Sequence, residues 1–173
     1  MLLALDVDGT VAQTHQAALD RLISDGYLPG DPNLACWRSW RLSESFPGFD
    51  ERHLDSLFAD PTFYADLEPF PGVAAWTQRL RASKHEVHIV TSRPWGLRRV
   101  TGDWLSKHGI PYRVLMVNVQ QKNLYTRAVH ADCLIDDDPN ANPTHLIDAP
   151  YNASMDLSPA VRRVSHAQLY SLI

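Results

Sequence analysis

Cysteine, long apolar runs and clustered basic charge are all scarce in this sequence. Its two cysteines, Cys36 and Cys133, form no Cys-x-x-Cys motif, so the sequence indicates neither a disulfide nor a zinc site. No apolar run approaches the roughly 18 residues of a transmembrane helix, and Asp6 and Asp8 interrupt the apolar start, unlike a secretory signal. The chain has 16 basic and 20 acidic residues and no basic tract, which makes a nucleic-acid polymer a poor candidate partner. We therefore expect a soluble, cytoplasmic protein without a membrane or nucleic-acid partner.

Apolar runs separated by helical patterns indicate a parallel sheet. A chain of 173 residues is long enough for one core domain with a modest insertion. Alternation of strands and helices is typical of βαβ construction. The patterns predict strands over 2–7, 86–91, 113–117 and 133–136 and a weaker strand over 145–148. They predict helices over 71–84, 95–108, 121–130 and 165–172. Pro71 suits a first helical turn, Gly109 ends the second of these helices and Ser165 caps the last.

The interval between the first two predicted strands is too long for a simple crossover, which needs about a dozen residues. Residues 14–70 are therefore predicted to form an insertion with its own structure, beginning with an amphipathic helix that Thr14 caps. Most of the aromatic rings in the rest of this insertion should form its own small core, which would account for all of them. If the insertion covers the Asp6/Asp8 site, one or two rings would be free to stack on a flat substrate group. These rings are Trp37, Trp40, Phe46, Phe49, Phe58, Phe63, Tyr64 and Phe70.

Two aspartates, Asp6 and Asp8, follow the first apolar run directly. In extended backbone their side chains leave the same face of the strand, while Gly9 lets the chain bend and approach a ligand closely. Like charges this close favour protonation unless a cation or several donors compensate. The pattern favours a hard divalent ion at the end of a buried strand.

Two other interpretations of this Asp-x-Asp-Gly segment remain. A solvated turn would use the same residues, and a short motif is only a hypothesis until its context agrees. A calcium loop of the EF-hand type also opens this way, but Val11 and Ala12 offer no ligand side chain and its twelfth position would be Ala17 instead of glutamate. Calcium binding of that type is therefore disfavoured, and the choice between turn and metal site depends on the rest of the chain.

Two later segments suit an anionic ligand. Thr91-Ser92-Arg93-Pro94 ends the second predicted strand with two hydroxyls and a guanidinium, which suit a phosphate, although an ordinary helix cap would also use these residues. Lys122 begins a predicted helix, where a cation opposes the helix dipole, so either a surface lysine or a functional one is compatible with its position.

A second pair of carboxylates ends the fourth predicted strand. Asp136 still belongs to the apolar run and Asp137 follows it, whereas residues 138–142 are typical of a solvated turn. Two strands of one parallel sheet that both end in aspartate offer a cation oxygen ligands from two sides.

These four segments in this order resemble the motifs of haloacid dehalogenase (HAD) superfamily phosphatases. Within that superfamily the chain looks most like the 5′(3′)-deoxyribonucleotidase and nucleotidase group. The resemblance covers nearly the whole chain, is weakest between residues 24 and 70, and depends also on the segments 89–94, 104–111, 134–139, 150–152 and 163–165.

The resemblance implies a role for each matching residue. Asp6 would be the nucleophile that forms an aspartyl-phosphate, and Asp8 would protonate the leaving oxygen and then activate water. Thr91 and Lys122 would bind the phosphoryl oxygens. Ser92 and Arg93 would assist substrate binding. Mg²⁺ would be held by the Asp6 carboxylate, the Asp8 backbone carbonyl and Asp136. Asp137 would be a further or water-mediated partner of the metal.

The resemblance also implies the fold and the activity. We expect a three-layer α/β/α sandwich with a parallel Rossmann-like sheet, in which residues 1–13 and 71–173 form the catalytic core and 14–70 a helical cap. The implied activity is a Mg²⁺-dependent phosphomonoesterase acting on a small phosphate ester, with nucleoside 5′-monophosphates and especially deoxyribonucleotides favoured. Phosphatases of sugar phosphates or other metabolites, a phosphomutase and a binding protein without turnover remain alternatives, and the sequence leaves the oligomeric state open.

Overall fold

A six-stranded parallel sheet forms the centre of the structure. The computed structural model describes residues 1–30, 34–39 and 41–172, so Trp40 lies outside the described residues. Within the described part, the strand order is β3-β2-β1-β4-β5-β6, and each neighbouring pair is parallel. The strands are β1 (Leu2–Leu5), β2 (Glu86–Val90), β3 (Val114–Met116), β4 (Cys133–Asp136), β5 (His145–Ile147) and β6 (Arg162–Val164).

The five predicted strands are present, β4 with the predicted bounds and the other four with slightly shorter ones. β1 ends at Leu5 because the carbonyl of Val7 accepts the amides of residues 10–12 at 2.8–3.3 Å, which turns the chain away from the sheet. β6 was not predicted, since two of its three residues are arginines. Charged side chains are typical of an edge strand, where they discourage pairing with another chain.

Helices connect the strands at nearly the predicted positions. The helix predicted from Pro71 begins at Val73 instead, because Gly72 lies before it in the left-handed region (φ 88°). Ser165 caps the last helix as predicted, and its hydroxyl accepts the amide of Gln168 at 3.2 Å. The helices are α1 (Thr14–Ser24), α2 (Leu42–Ser45), α3 (Glu51–Ala59), α4 (Pro61–Ala65), α5 (Val73–Ala82), α6 (Arg98–Lys107), α7 (Lys122–Ala128) and α8 (His166–Leu172).

Helices cover both faces of the sheet. Successive side chains of a strand leave opposite faces, so Leu3 and Leu5 pack into the large core with Trp76, whereas Ala4 packs into a second core on the other face beside Tyr125 of α7. The predicted α/β sandwich with a parallel, Rossmann-like sheet is therefore confirmed.

Residues 14–70 contribute α1 to α4. Trp37 and Phe63 are buried, as expected for rings that form a core, and Trp104 of α6 donates its indole N–H to the Leu67 carbonyl at 2.7 Å. Thr14 is the first residue of α1 and not its cap, since its hydroxyl donates to Oδ1 of Asp8 instead of accepting a helix amide.

Among the described residues, none of the helices combines the length and apolar character needed to span a bilayer.

Candidate active site

The carboxyl ends of β1 and β4 meet at the centre of the sheet and bring the predicted aspartates together. Leu5 pairs with Ile135, and the amide of Asp6 donates to the Ile135 carbonyl at 3.0 Å. Asp136 is the last residue of β4. Adjacent strands thus place Asp6 and Asp136 side by side at the sheet edge where open α/β folds bind ligands.

Asp6, Asp136 and Asp137 form a compact cluster, called here the carboxylate cluster. Each offers one oxygen, and these oxygens all lie within 4.8 Å of one another. All three side chains are buried. Burial raises the pKa of Asp6 to about 7, that of Asp136 to about 6 and that of Asp137 to about 8, and mutual repulsion adds to the effect.

Lys122 partly compensates the cluster. Its ammonium nitrogen lies 2.9 Å from Oδ1 of Asp6 and donates to Oδ2 of Asp136 at 2.9 Å. Burial alone would lower the pKa of Lys122, but the two carboxylates raise it above its ordinary value. Lys122, whose position in the sequence suited either a surface or a functional lysine, is therefore a buried cation that faces the strand ends.

The cluster has the features of a site for a hard divalent cation. Three buried carboxylates share one buried ammonium, that of Lys122, which lies 2.9 Å from Oδ1 of Asp6 and 2.9 Å from Oδ2 of Asp136. Buried carboxylates in excess of their cationic partners are costly, and a hard cation with oxygen ligands would offset them. The residues present therefore fit a divalent metal ion, whose chemical identity the carboxylates alone do not fix.

Asp137 is held by residues that the sequence interpretation did not include in the site. Its carboxylate accepts hydrogen bonds from the hydroxyl of Tyr151 at 2.7 Å and of Thr10 at 3.3 Å. The side-chain amide of Asn152 donates to the Asp137 carbonyl at 2.8 Å, and Arg163 donates to Oδ1 of Asn152 at 2.7 Å. The only sequence signal was the likeness of segments 150–152 and 163–165 to the nucleotidase group.

Asp8 lies beside the carboxylate cluster but its side chain is not part of it. Arg93 donates from Nε to Oδ2 at 2.8 Å and from Nη2 to Oδ1 at 2.7 Å, and the hydroxyl of Thr14 donates to Oδ1 at 2.6 Å. Burial alone would raise the pKa of Asp8, but Arg93 and Thr14 lower it below its ordinary value. Asp6 and Asp8 are therefore electrostatically different although only one residue separates them.

The end of β2 supplies the other predicted polar residues. The hydroxyl of Thr91 is buried and accepts the amide of Arg93 at 3.2 Å. Ser92 is exposed, and its carbonyl accepts the side-chain amide of Gln120 at 3.3 Å. The segment 91–93 therefore reaches the same sheet edge as Asp6 and Asp8, with Arg93 directed to Asp8.

A cavity of about 480 Å³ opens over these residues. Residues of the insertion form part of its wall, among them His15, whose pKa burial lowers to about 4. The rings of Phe58 and Tyr64, which also belong to the insertion, line the cavity as well. The lining comprises Asp6, Asp8, Thr14, His15, Asp55, Phe58, Ala59, Tyr64, Ser92, Arg93, Pro94, Lys122, Asp137 and Asp138.

Comparison with known proteins agrees with the superfamily resemblance. The model of the family described as 5′ nucleotidase, deoxy (pyrimidine), cytosolic type C protein (NT5C) matches residues 1–173, the whole sequence. The chain belongs to this family. It is a phosphatase of the HAD type. No curated protein matches the chain.

Solved structures share the fold at low sequence identity. A predicted phosphoglycolate phosphatase from Haemophilus somnus is 14% identical, with a TM-score of 0.60 over 99% of this chain and 96% of its own. A HAD-superfamily hydrolase of subfamily IA from Geobacter sulfurreducens is 15% identical, with a TM-score of 0.58 over 96% of this chain and 92% of its own. A D,D-heptose 1,7-bisphosphate phosphatase from Burkholderia thailandensis is 12% identical, with a TM-score of 0.54 over 98% and 93%.

Proposed function

We propose that this phosphatase is a Mg²⁺-dependent nucleotidase that hydrolyses nucleoside 5′-monophosphates through an aspartyl-phosphate on Asp6. The carrying observation is the buried carboxylate cluster with Lys122, which lies at the carboxyl ends of β1 and β4 under a cavity of ligand size. The family description, which names a deoxy pyrimidine 5′ nucleotidase, supports the substrate.

Asp6 would attack the phosphorus and displace the ester oxygen, so that one P–O bond forms as another breaks. A carboxylate can approach a phosphate only where positive charge offsets their repulsion. Lys122 supplies part of that charge at 2.9 Å from Asp6. Ser92 and Lys122 line the cavity and Thr91 directly follows β2 beside them, so these three residues would hold the phosphoryl oxygens.

Asp8 would transfer the protons of both half-reactions. It would give a proton to the departing ester oxygen and later take one from the water that hydrolyses the aspartyl-phosphate. Its carboxylate faces the same cavity as Asp6. The low pKa that Arg93 and Thr14 give Asp8 suits the base step, whereas for the acid step Asp8 would first take up a proton brought by a monoanionic phosphate ester.

Mg²⁺ would be held by Asp6, Asp136 and Asp137, together with the backbone carbonyl of Asp8. When bound, a divalent ion neutralises negative charge on the phosphoryl group and orients it. Charge balance supports a divalent ion, because the described residues of the site include four carboxylates but only two cationic side chains, Lys122 and Arg93. The four are the carboxylate cluster and Asp8.

The charges around the cavity favour a substrate whose leaving group is neutral. Among the described lining residues, the only lysine or arginine side chains are Lys122 and Arg93, and both are already paired with carboxylates. The rim adds Asp55 and Asp138. A second phosphate or a carboxylate on the leaving group would meet like charge there, whereas a nucleoside would not.

We further propose that residues 14–70 act as a cap that closes over the site and selects the substrate. Phe58 and Tyr64 line the cavity, and the half-buried ring of Phe58 would stack against a flat base. The word cytosolic in the family description supports a cytoplasmic location.

Phosphate release from a panel of substrates tests the proposal. The panel contains thymidine and deoxycytidine 5′-monophosphates, the corresponding ribonucleotides, a nucleoside 3′,5′-bisphosphate, glucose 6-phosphate and phosphoglycolate, each with Mg²⁺ and with EDTA. We expect turnover of the deoxynucleoside monophosphates with Mg²⁺ and weak turnover of the substrates that carry a second anionic group. Good turnover of sugar phosphates with none of any nucleotide would refute the nucleotidase.

Asp6→Asn provides the control for the mechanism. It should abolish turnover while the far-UV circular dichroism spectrum stays that of the wild type, because the amide keeps the shape but cannot form the phosphoryl intermediate. Appreciable residual turnover would mean that another group is the nucleophile.

A further inference from the structure

We propose that Arg93 is a positioning residue that fixes the carboxylate of Asp8, rather than a ligand of the substrate phosphate. The inference rests on the acid/base role proposed for Asp8. It assigns to Arg93 a different duty from the substrate binding implied by the sequence resemblance.

Both oxygens of Asp8 accept hydrogen bonds from the guanidinium. Nε lies 2.8 Å from Oδ2 and Nη2 lies 2.7 Å from Oδ1. Two parallel bonds between planar groups fix the plane of the carboxylate as well as its distance. The bond from Thr14 to Oδ1, at 2.6 Å, leaves the carboxylate little freedom to rotate.

Arg93 is itself rigidly held. Its side chain is only 2% exposed, and Nη1 donates to the hydroxyl of buried Thr101 at 3.1 Å. Its backbone amide donates to Oγ1 of Thr91 at 3.2 Å, and its carbonyl accepts the amide of Asn118 at 2.7 Å. A side chain fixed at both its backbone and its tip is suited to orient a neighbour.

The insertion holds Arg93 from the other side. The ring of Tyr64, in α4, lies over the guanidinium, 4.2 Å from its central carbon to the ring centroid. The Tyr64 hydroxyl donates to the Phe58 carbonyl at 3.0 Å. The proposed cap therefore contributes to the position of Asp8 through Arg93.

This arrangement explains why Arg93 acts through Asp8. Three of its five N–H groups are directed to protein partners, and the buried side chain presents little surface to the cavity. A reacting group that is already held in productive geometry loses less conformational entropy on reaching the transition state, so the activation barrier is lower. Loss of Arg93 should therefore slow turnover without weakening substrate binding.

A double-mutant cycle tests the inference, with thymidine 5′-monophosphate and p-nitrophenyl phosphate as the two substrates, both in Mg²⁺. Asp8→Asn should lower kcat about 10²-fold or more, and Arg93→Met about tenfold or more with KM changed less than about twofold. The double variant should match Asp8→Asn within about twofold, because Arg93 has nothing left to position.

Each contrary outcome points to a different error. If Arg93→Met raises KM at constant kcat and its effect multiplies with that of Asp8→Asn, Arg93 binds substrate and the inference is wrong. If Arg93→Met matches the wild type while Asp8→Asn is impaired, only the inference fails. If Asp8→Asn keeps wild-type kcat, the acid/base assignment and the inference fail together. If the wild type hydrolyses p-nitrophenyl phosphate but not thymidine 5′-monophosphate, the proposed nucleotide substrate is wrong, and the double-mutant cycle can still be measured with p-nitrophenyl phosphate.

Two further variants guard against misfolding. Arg93→Lys keeps the charge but cannot form the paired contact, so its kcat should also fall, with thermal unfolding near that of the wild type. Tyr64→Leu should lower kcat several-fold through loss of the ring over Arg93, whereas Tyr64→Phe keeps the ring and should lower it less. Equal kcat values for Arg93→Lys and the wild type would overturn the inference.

Discussion

Gly9 offers a quantitative test of how closely the first turn packs against the carboxylate cluster. Its φ is +75°, in the region that favours glycine, and a Cβ placed on it would lie 2.2 Å from Oδ2 of Asp137 and 2.7 Å from the hydroxyl of Tyr151. Such distances are far inside van der Waals contact. Gly9→Ala must therefore displace Asp137, Tyr151 or the turn itself.

The expected destabilisation has two parts. A left-handed conformation costs an alanine about 1–2 kcal/mol. Displacing the Asp137 side chain also breaks its hydrogen bond with Tyr151, 2.7 Å long, which contributes about 0.5–1.5 kcal/mol because burial keeps Asp137 mostly protonated near neutral pH in the absence of metal. Together, Gly9→Ala should lower the free energy of unfolding by about 1.5–3.5 kcal/mol.

Gly26 provides a matched control. Its φ is +78°, but a Cβ placed on it would meet no atom within 4 Å, so Gly26→Ala carries the backbone cost alone. Urea unfolding of both variants in EDTA, with unchanged denaturant dependence, measures the two free energies. Equal destabilisation of the two variants, or wild-type phosphatase activity in folded Gly9→Ala, would refute this close packing of Gly9 against the cluster.

Three further outcomes are expected. Lys122→Met should abolish turnover and lower the free energy of unfolding by about 3–5 kcal/mol near neutral pH, because it leaves the buried carboxylates of Asp6 and Asp136 without their cation. An unchanged midpoint of urea unfolding would contradict this prediction. Trp104→Phe should cost about 1–3 kcal/mol through loss of the bond to the Leu67 carbonyl, whereas Trp95→Phe, on a side chain that is 61% exposed, should stay within about 0.5 kcal/mol. Metal-free protein should lose stability as pH rises from about 4 to about 8. In the folded state the pKa values of Asp6, Asp136 and Asp137 are about 7, about 6 and about 8, whereas the ordinary value of an aspartate is 3.8. The folded state therefore binds more protons than the unfolded state in this pH range, and raising the pH favours unfolding. Thermal midpoints in EDTA at about pH 5 and about pH 8 measure this, and Mg²⁺ should stabilise more at the higher pH; a higher midpoint at pH 8 in EDTA would contradict it.

The residues found from the sequence are those that local pattern fixes. An apolar run that ends in aspartate predicts both a buried strand and a carboxylate at its end, and this holds for β1 with Asp6 and for β4 with Asp136. Each of these signals lies within a few residues of its cause. The helix position of Lys122 was compatible with either a surface or a functional lysine, and only the resemblance to HAD phosphatases assigned it to the site.

The contacts that the sequence did not predict join distant segments. Thr14 fits a helix cap equally well, and only the fold shows that its hydroxyl reaches Asp8. Tyr151 contacts Asp137 from a separate loop, and Arg93 meets Asp8 across 85 positions of sequence. No periodicity or spacing within one segment reports such pairings, so they become visible only in three dimensions.

The pair Asp6 and Asp8 shows what the fold adds to a motif. In the sequence the two carboxylates are equivalent neighbours around Val7. In the structure, burial raises the pKa of Asp6, whereas Arg93 and Thr14 outweigh burial and lower that of Asp8. Identical side chains in different surroundings can take different roles in one reaction. The difference comes from Arg93, which follows β2, and from Thr14 of α1, so distant parts of the chain distinguish the two aspartates of the short motif.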